Sequence, residues 1–382
     1  MKSMKIFIDI GHPAHVHYFR HFVRIMHTKG HEVFITARDK EVTLSLLDHY
    51  KLEYSNRGKG RKSMLGKLVY ILSADFFLLR KALKVKPDLF VSFGSPYAAH
   101  TAWLVGKPHL AFDDTDHNFF AQLMYVPFTE TILTPGVYTK SYGKKHVRFN
   151  GFMELCSLHP RRFQAPDTTN VTRATAVIEK GSTAGDLSGP MKRKYIILRF
   201  VSWEASHDIG LSGLSRETKY ALVRELSKYA DIVISSESPL PPDLQAYGYS
   251  IHPAEMHGFM ADAALLVSES LTMSAEAAFL GTPTLCISTA RAGTLDEEVR
   301  LGLIELFRGS EGVVERAVAL AKNPGYKSEF QVKSTDVVST LIDVTGFMVW
   351  FVENYPASKQ DVQNDPGYQS RFRGGYADSD FV

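Results

Sequence analysis

Short apolar runs of strand length alternate with longer helical patterns along most of this 382-residue chain. KIFID (5–9) precedes a helix from about 16 to 29, then come EVFIT (32–36), a helix over roughly 39–49, and LEY (52–54). The order is βαβαβ. A long helical pattern at 63–85 is followed by DLFVSF (88–93), a helix at 97–105, PHLAFDD (108–114), TILTP (131–135) and VRFNG (147–151). The rhythm lapses over 164–194, which is rich in Thr, Gly, Ser and Pro and reads as a linker. It restarts with YIILRF (195–200), a helix at 216–229, DIVIS (231–235), a short strand near 249–251, ALLVS (264–268), a helix at 272–280, TPTLCIS (282–288), and helices at 295–302 and 311–322. Near-continuous apolar strands separated by helices imply parallel sheets covered on both faces.

The pattern therefore predicts an α/β protein with two Rossmann-like, doubly wound domains facing an interdomain cleft. An amino-terminal domain occupies 1–163, a linker 164–194 and a second domain 195–335. A last helix at 336–354 leads into 355–382, a polar tail without periodicity that is expected to be disordered.

Composition narrows the classes. Hydrophobic residues make up 45%, charged residues 22% and aromatic residues 12%, as in soluble globular chains. A net charge of +3 demands no nucleic-acid partner. Cys156 and Cys286 lie far apart and form neither a disulfide framework nor a zinc pattern. The apolar run at 68–79 is too short to span a bilayer and contains Asp75. The expected location is the cytoplasm, with peripheral contact at the inner membrane face left open. That contact is suggested by Arg57, Lys59, Arg61, Lys62 and Lys67 ahead of the apolar helix, although a solvated basic loop beside a packed helix is the plainer account.

In doubly wound sheets, ligands bind at the loops leaving the strands. The first such loop opens GHPAHVHYFRHFVRIMHTKGHEV (11–33). Gly11 and His12 stand where backbone donors meet an anion, and His15 is a candidate general base. His12, His15, His17 and His21 also offer nitrogen ligands, but without a cysteine or carboxylate partner a metal is not expected. Gly94 and Ser95 free the turn after DLFVSF, and Asp113, Asp114 and Asp116 follow the next strand. Asp114 and Asp116 are competing general bases, or caps for the helix at FFAQLMY. In the second domain, Arg199, Ser202 and His207 can meet a phosphate. At 268–283, SESLTMSAEAAFLGTP places Ser270, Thr272 and Met273 at a helix start suited to a pyrophosphate. Glu276, one turn on, can accept ribose hydroxyls.

The strand, glycine, His15-Val16, helix and Lys29-Gly30-His31-Glu32-Val33 resemble the start of the bacterial N-acetylglucosaminyltransferase that completes the lipid-linked peptidoglycan precursor, and of GT-B glycosyltransferases generally. The 91–118 stretch also resembles the UDP-N-acetylglucosamine 2-epimerases. DIGHPAHVHYF, GHEVFITARDKE, FDDTDHN, LHPRRF, LRFVSWEASHD and TMSAEAAFLGTP are similar to the family called domain of unknown function 354, over residues 4 to about 325. The resemblance implies a GT-B fold and a nucleotide sugar, UDP-linked, held by the second domain through Glu276. A glycan or lipid-linked acceptor would occupy the first domain, with no metal cofactor and no nucleic acid. The leading expectation is glycosyl transfer in cell-surface glycan or glycolipid assembly. Epimerisation of a UDP-sugar and non-catalytic nucleotide-sugar binding are the alternatives.

Overall fold

The computed structural model describes residues 3–61, 63–116, 118–163, 194–201, 213–249 and 251–373. The chain divides into two compact units. Unit 1 comprises Met1–Arg162, Ala292–Thr294 and Ser339–Val382, and unit 2 comprises Phe163–Arg291 and Leu295–Val338. Most of the expected linker, 164–193, lies outside the described residues.

Unit 1 begins with β1 (Lys5–Ile10), α1 (Pro13–Thr28), β2 (Glu32–Asp39), α2 (Thr43–His49) and β3 (Tyr54–Lys59). It continues with α3 (Met64–Val85), β4 (Leu89–Phe93), α4 (Pro96–Leu104), β5 (His109–Phe112), α5 (Phe119–Tyr125), β6 (Thr131–Pro135), β7 (His146–Phe149) and α6 (Leu155–Leu158). All seven strands are parallel, in the order β3-β2-β1-β4-β5-β6-β7. The near-continuous apolar character of the inner strands has its cause here: Ile6, Phe7, Ile8 and Ile10 of β1 are all buried, because helices cover both faces. From β1 the chain builds outward through β2 and β3. It then returns to β4 on the other side of β1, so β1 and β4 flank a topological switch point.

Unit 2 contains β8 (Tyr195–Phe200), α7 (Arg216–Leu226), β9 (Asp231–Ser236), α8 (Met256–Asp262), β10 (Leu265–Ser268), α9 (Leu271–Phe279), β11 (Thr284–Ile287), α10 (Gly293–Arg300), β12 (Glu305–Phe307), α11 (Val313–Lys322) and α12 (Tyr326–Ser339). Its parallel sheet runs β12-β11-β10-β8-β9. The switch point lies between β8 and β10. One core packs Leu198, Leu222, Val267 and Ala317 on one side of the sheet, and another packs Ile197, Phe259, Leu266 and Ala277 on the other.

Several sequence expectations need correction. The third strand is not LEY but Tyr54–Lys59, so Arg57 belongs to a strand and not to a basic loop. No strand forms at 251, only an isolated bridge from Ile234 to Gly248 between short 3-10 turns. The helix expected at 336–354 is interrupted: α12 ends at Ser339 and α13 (Val344–Glu353) begins where Asp343 Oδ1 accepts from the Gly346 N–H at 3.1 Å. The tail expected to be disordered from 355 is ordered through its first part, as α14 (Ala357–Asn364) and a 3-10 segment, Pro366–Phe372. Residues 374–382 lie outside the described ones.

The tail folds because it has an edge to cover. β7 ends the sheet, and its outward carbonyls need donors. Gln363 Nε2 donates to the Lys144 and His146 carbonyls at 3.1 Å each, and Gln369 Nε2 donates to the Arg148 carbonyl at 2.8 Å. Val362 and Phe372 are buried with them. Two further contacts fasten the carboxyl-terminal segment: Glu353 of α13 pairs with Lys29 at 3.2 Å and His31 at 3.0 Å, and Asp343 pairs with Arg162 at 2.5 Å.

Candidate active site

The loops singled out in unit 1 lie at its switch point: Gly11 and His12 follow β1, while Gly94 and Ser95 follow β4. His12 caps α1, its Nδ1 accepting from the Ala14 N–H at 3.3 Å, and Pro13 supplies the preset first helical residue. Ser95 caps α4 through the Ala98 N–H at 3.3 Å. Gly94 has φ +54°, and an added Cβ would stand 3.4 Å from the Tyr125 ring. Gly94→Ala is therefore expected to cost about 1–2 kcal/mol, through left-handed strain and displacement of Tyr125. A shift in the urea unfolding midpoint measures it, and an unchanged midpoint would contradict the requirement.

His15 is half-buried against Phe93, with ring centroids 4.7 Å apart. Its Nδ1 accepts from the Gly11 N–H at 3.3 Å. Burial first, then the positive fields of His12, Lys40 and Arg57, holds its pKa well below the usual 6.5. The ring is neutral, and with Nδ1 occupied as an acceptor its proton sits on Nε2. Such a ring donates a hydrogen bond. A general base would need a free lone pair on Nε2, which this tautomer does not offer.

Beneath this loop lies a network the sequence did not reveal. Asp9 is fully buried near the end of β1 and receives Arg57 Nε at 2.9 Å and Nη2 at 3.2 Å. Thr36 Oγ1 donates to it at 2.8 Å and Ser95 Oγ at 2.5 Å. Arg57 also donates to Tyr70 and stacks 4.6 Å from the Tyr97 ring centroid. Asp9 thus ties β1, β2, β3 and the α4 cap together at the switch point. A Cβ at Gly11 would sit in ordinary contact with Arg57 Nη2 at 3.7 Å and His15 Cε1 at 3.8 Å, so space alone does not demand glycine there.

The three aspartates after β5 have separate environments. Asp113 accepts from Tyr125 at 2.5 Å and Tyr138 at 3.1 Å, and burial raises its pKa. Asp116 is buried and receives Thr139 Oγ1 at 2.8 Å. Asp114 is partly exposed, with Thr115 Oγ1 on its Oδ1 at 2.9 Å. Its pKa is pushed up to about 7 by burial and by the neighbouring Asp113 charge. Neither Asp114 nor Asp116 caps α5, because Asn118 does, through the Ala121 N–H.

In unit 2, Ser270 follows β10 at the other switch point and caps α9, its Oγ accepting from the Met273 N–H at 3.4 Å. Thr272 is exposed one residue inside the helix, and Met273 packs against the inner core. Glu276 is buried beside His257, whose Nε2 lies 3.2 Å from Oε1. Arg199, at the end of β8, donates to Ser235 at 3.0 Å and Glu237 at 2.5 Å, the latter side chain being half-exposed. Ser202 and His207 lie outside the described residues. Among the described residues, no group of three or more His, Cys, Asp or Glu is placed to hold a metal ion.

Residues 4–171 match the family model described as "Protein of unknown function (DUF354)". The match covers less than half of the chain. The match ends before LRFVSWEASHD and TMSAEAAFLGTP, so it is narrower than the span to 325 expected from the motifs. An uncharacterized protein of Methanocaldococcus jannaschii is 22% identical over 166 residues, which is 42% of this chain and 49% of that relative, so the match spans about half of the relative's length. Among solved structures, the UDP-GlcNAc 2-epimerase of M. jannaschii superposes with a TM-score of 0.59 at 14% identity, covering 87% of this chain and 99% of that one. The Neisseria meningitidis UDP-GlcNAc 2-epimerase bound to UDP-GlcNAc gives 0.58 at 13% identity, over 88% and 98%. A spinosyn rhamnosyltransferase complexed with spinosyn aglycone gives 0.56 at 13% identity, over 92% and 100%. The chain shares with these proteins the GT-B fold of two parallel-sheet units.

Proposed function

We propose that this protein is a UDP-sugar-dependent glycosyltransferase acting on a glycan or lipid-linked acceptor, in the assembly of a cell-surface glycan or glycolipid. The observation that carries the reading is the placement of the chemistry-bearing loops of both units at the switch points of their sheets. Unit 2 would bind the nucleotide. The free N–H groups at the start of α9 face the diphosphate, and Arg199 adds charge by leaving its exposed partner Glu237, a pair worth little in water. Glu276, anchored by His257 at Oε1, offers Oε2 to the ribose hydroxyls.

In unit 1, Asp114 takes the proton from the acceptor hydroxyl. The oxygen then forms the bond to the anomeric carbon, and the bond from that carbon to the phosphate oxygen breaks, its electron pair leaving with UDP. The Nε2–H of His15 donates to an acceptor or phosphate oxygen. On this reading helix ends and Arg199 neutralise the leaving group, and no metal is required.

UDP at 100 times its dissociation constant is expected to stabilise the protein by about 2.7 kcal/mol, seen as a rise of several degrees in melting temperature. Glu276→Gln should shrink that rise. No shift with UDP or any UDP-sugar would sink the nucleotide assignment.

A second reading is supported by the likeness to 2-epimerases over nearly their full length. There the carboxylates after β5 would move a proton at C2 of the sugar. Release of UDP and an epimerised sugar without an acceptor favours this reading, and acceptor-dependent UDP release favours transfer.

A further inference from the structure

Nine of the thirteen large apolar side chains exposed among the described residues sit on three consecutive helices of unit 1. On α3, Leu72, Phe76 and Leu83 are 61–69% exposed at helical spacing, although the opposite side of the same helix packs Leu78 and Ala82 into the core. Trp103 and Leu104 end α4, and Phe119, Phe120 and Leu123 face outward from α5. One histidine holds the three helices side by side: His100 Nδ1 lies 3.0 Å from Asp75 Oδ2 on α3, and its Nε2 lies 3.0 Å from the Met124 carbonyl on α5. Both ring nitrogens face acceptors, and the Asp75 hydrogen bond raises the His100 pKa, which favours the doubly protonated ring.

We infer that the α3–α4–α5 face docks this protein onto an anionic lipid bilayer, a conclusion independent of the enzymatic reading. Charge selects this occupant. Asp75 is the sole acid in the three helices, and it is paired with His100. Basic residues border the apolar side chains: Arg80 and Lys84 on α3, Lys107 after α4, and Lys140, whose ammonium lies 5.8 Å from the Phe119 ring centroid. Large aromatic side chains with a basic rim suit the zone where headgroups meet acyl chains. A two-fold contact with a second copy would set this positive rim against itself. Among the described residues no helix is long and apolar enough to cross a membrane, so the face would lie on the bilayer and not through it.

The test is cosedimentation of the full chain with vesicles of phosphatidylglycerol and phosphatidylcholine, compared with phosphatidylcholine alone. The protein should pellet with the anionic vesicles and remain in solution with the neutral ones. Each basic residue reversed in Arg80→Glu/Lys84→Glu should weaken partitioning at least about fivefold. Phe76→Glu/Phe120→Glu should weaken it more than about tenfold. Melting curves of both variants should match the parent, because all four side chains face solvent. Equal pelleting with both vesicle types, no pelleting with either, or unchanged pelleting of the phenylalanine variant would overturn the inference. So would a dimer in gel filtration that the phenylalanine variant converts to monomer, which would assign the face to a second copy.

Discussion

Arg57→Ala is expected to lower the stability of unit 1 by about 3–5 kcal/mol. The loss exceeds that of an ordinary surface pair because the partner left behind, Asp9, is fully buried in the sheet. Water cannot reach it, and Thr36 and Ser95 alone would have to carry a full charge. The uncompensated buried charge would strain the strand ends it now ties together. Replacing both members, as in Asp9→Asn/Arg57→Met, should recover much of the loss, since removing a whole buried ion pair is often close to neutral. Urea unfolding followed by circular dichroism distinguishes the cases. A loss under about 1 kcal/mol for the single variant would mean that water or another cation reaches Asp9.

Asp114→Asn is expected to lower turnover by roughly 10²–10⁴-fold, the usual contribution of a positioned general base. Its pKa, pushed up to about 7, puts the titration where it can be measured. The base form is the carboxylate, so activity should rise with pH through about 7 and level off above it. Protonation below that point removes the acceptor for the hydroxyl proton. In Asp114→Asn the rising limb should vanish while the KM for the UDP-sugar stays near that of the parent, because the donor is assigned to unit 2. Release of UDP as a function of pH is the measurement. A variant within threefold of the parent would shift the role to Asp116, which Thr139 already engages.

These two residues show where sequence reading reached and where it stopped. The inner strands were legible because burial on both faces makes them apolar throughout, as in Phe7 and Ile8 or Leu266 and Val267. The loops after them were legible because chain direction and small residues mark a strand-to-helix turn. Ser95 and Ser270 do cap helices there, and Asn118, not an aspartate, caps α5. Arg57 stayed hidden because β3, YSNRGK, is a polar edge strand, and the partner that buries its arginine lies 48 positions earlier. His15 was legible as a residue of the strand-to-helix turn, but which of its ring nitrogens the Gly11 N–H meets depends on backbone geometry. The outer face of α3 was equally obscure: a helix apolar all round reads as core, and only the packing separates buried Leu78 from exposed Phe76. The carboxyl-terminal segment looked unstructured because it spends few apolar residues per turn and gains its order from glutamine side chains on the β7 edge.

The first unit is discontinuous in sequence, leaving at Arg162, returning briefly at Ala292–Thr294, and resuming with that segment at Ser339. During translation, the seven strands would emerge from the ribosome long before the helices that shield the last of them. Throughout that interval the open margin of β7 is available to any passing strand, whereas the second unit is interrupted only at Ala292–Thr294 and can close soon after its own synthesis. The lobe made first is therefore the lobe finished last, and the nascent chain is most in need of protection while it is already half built.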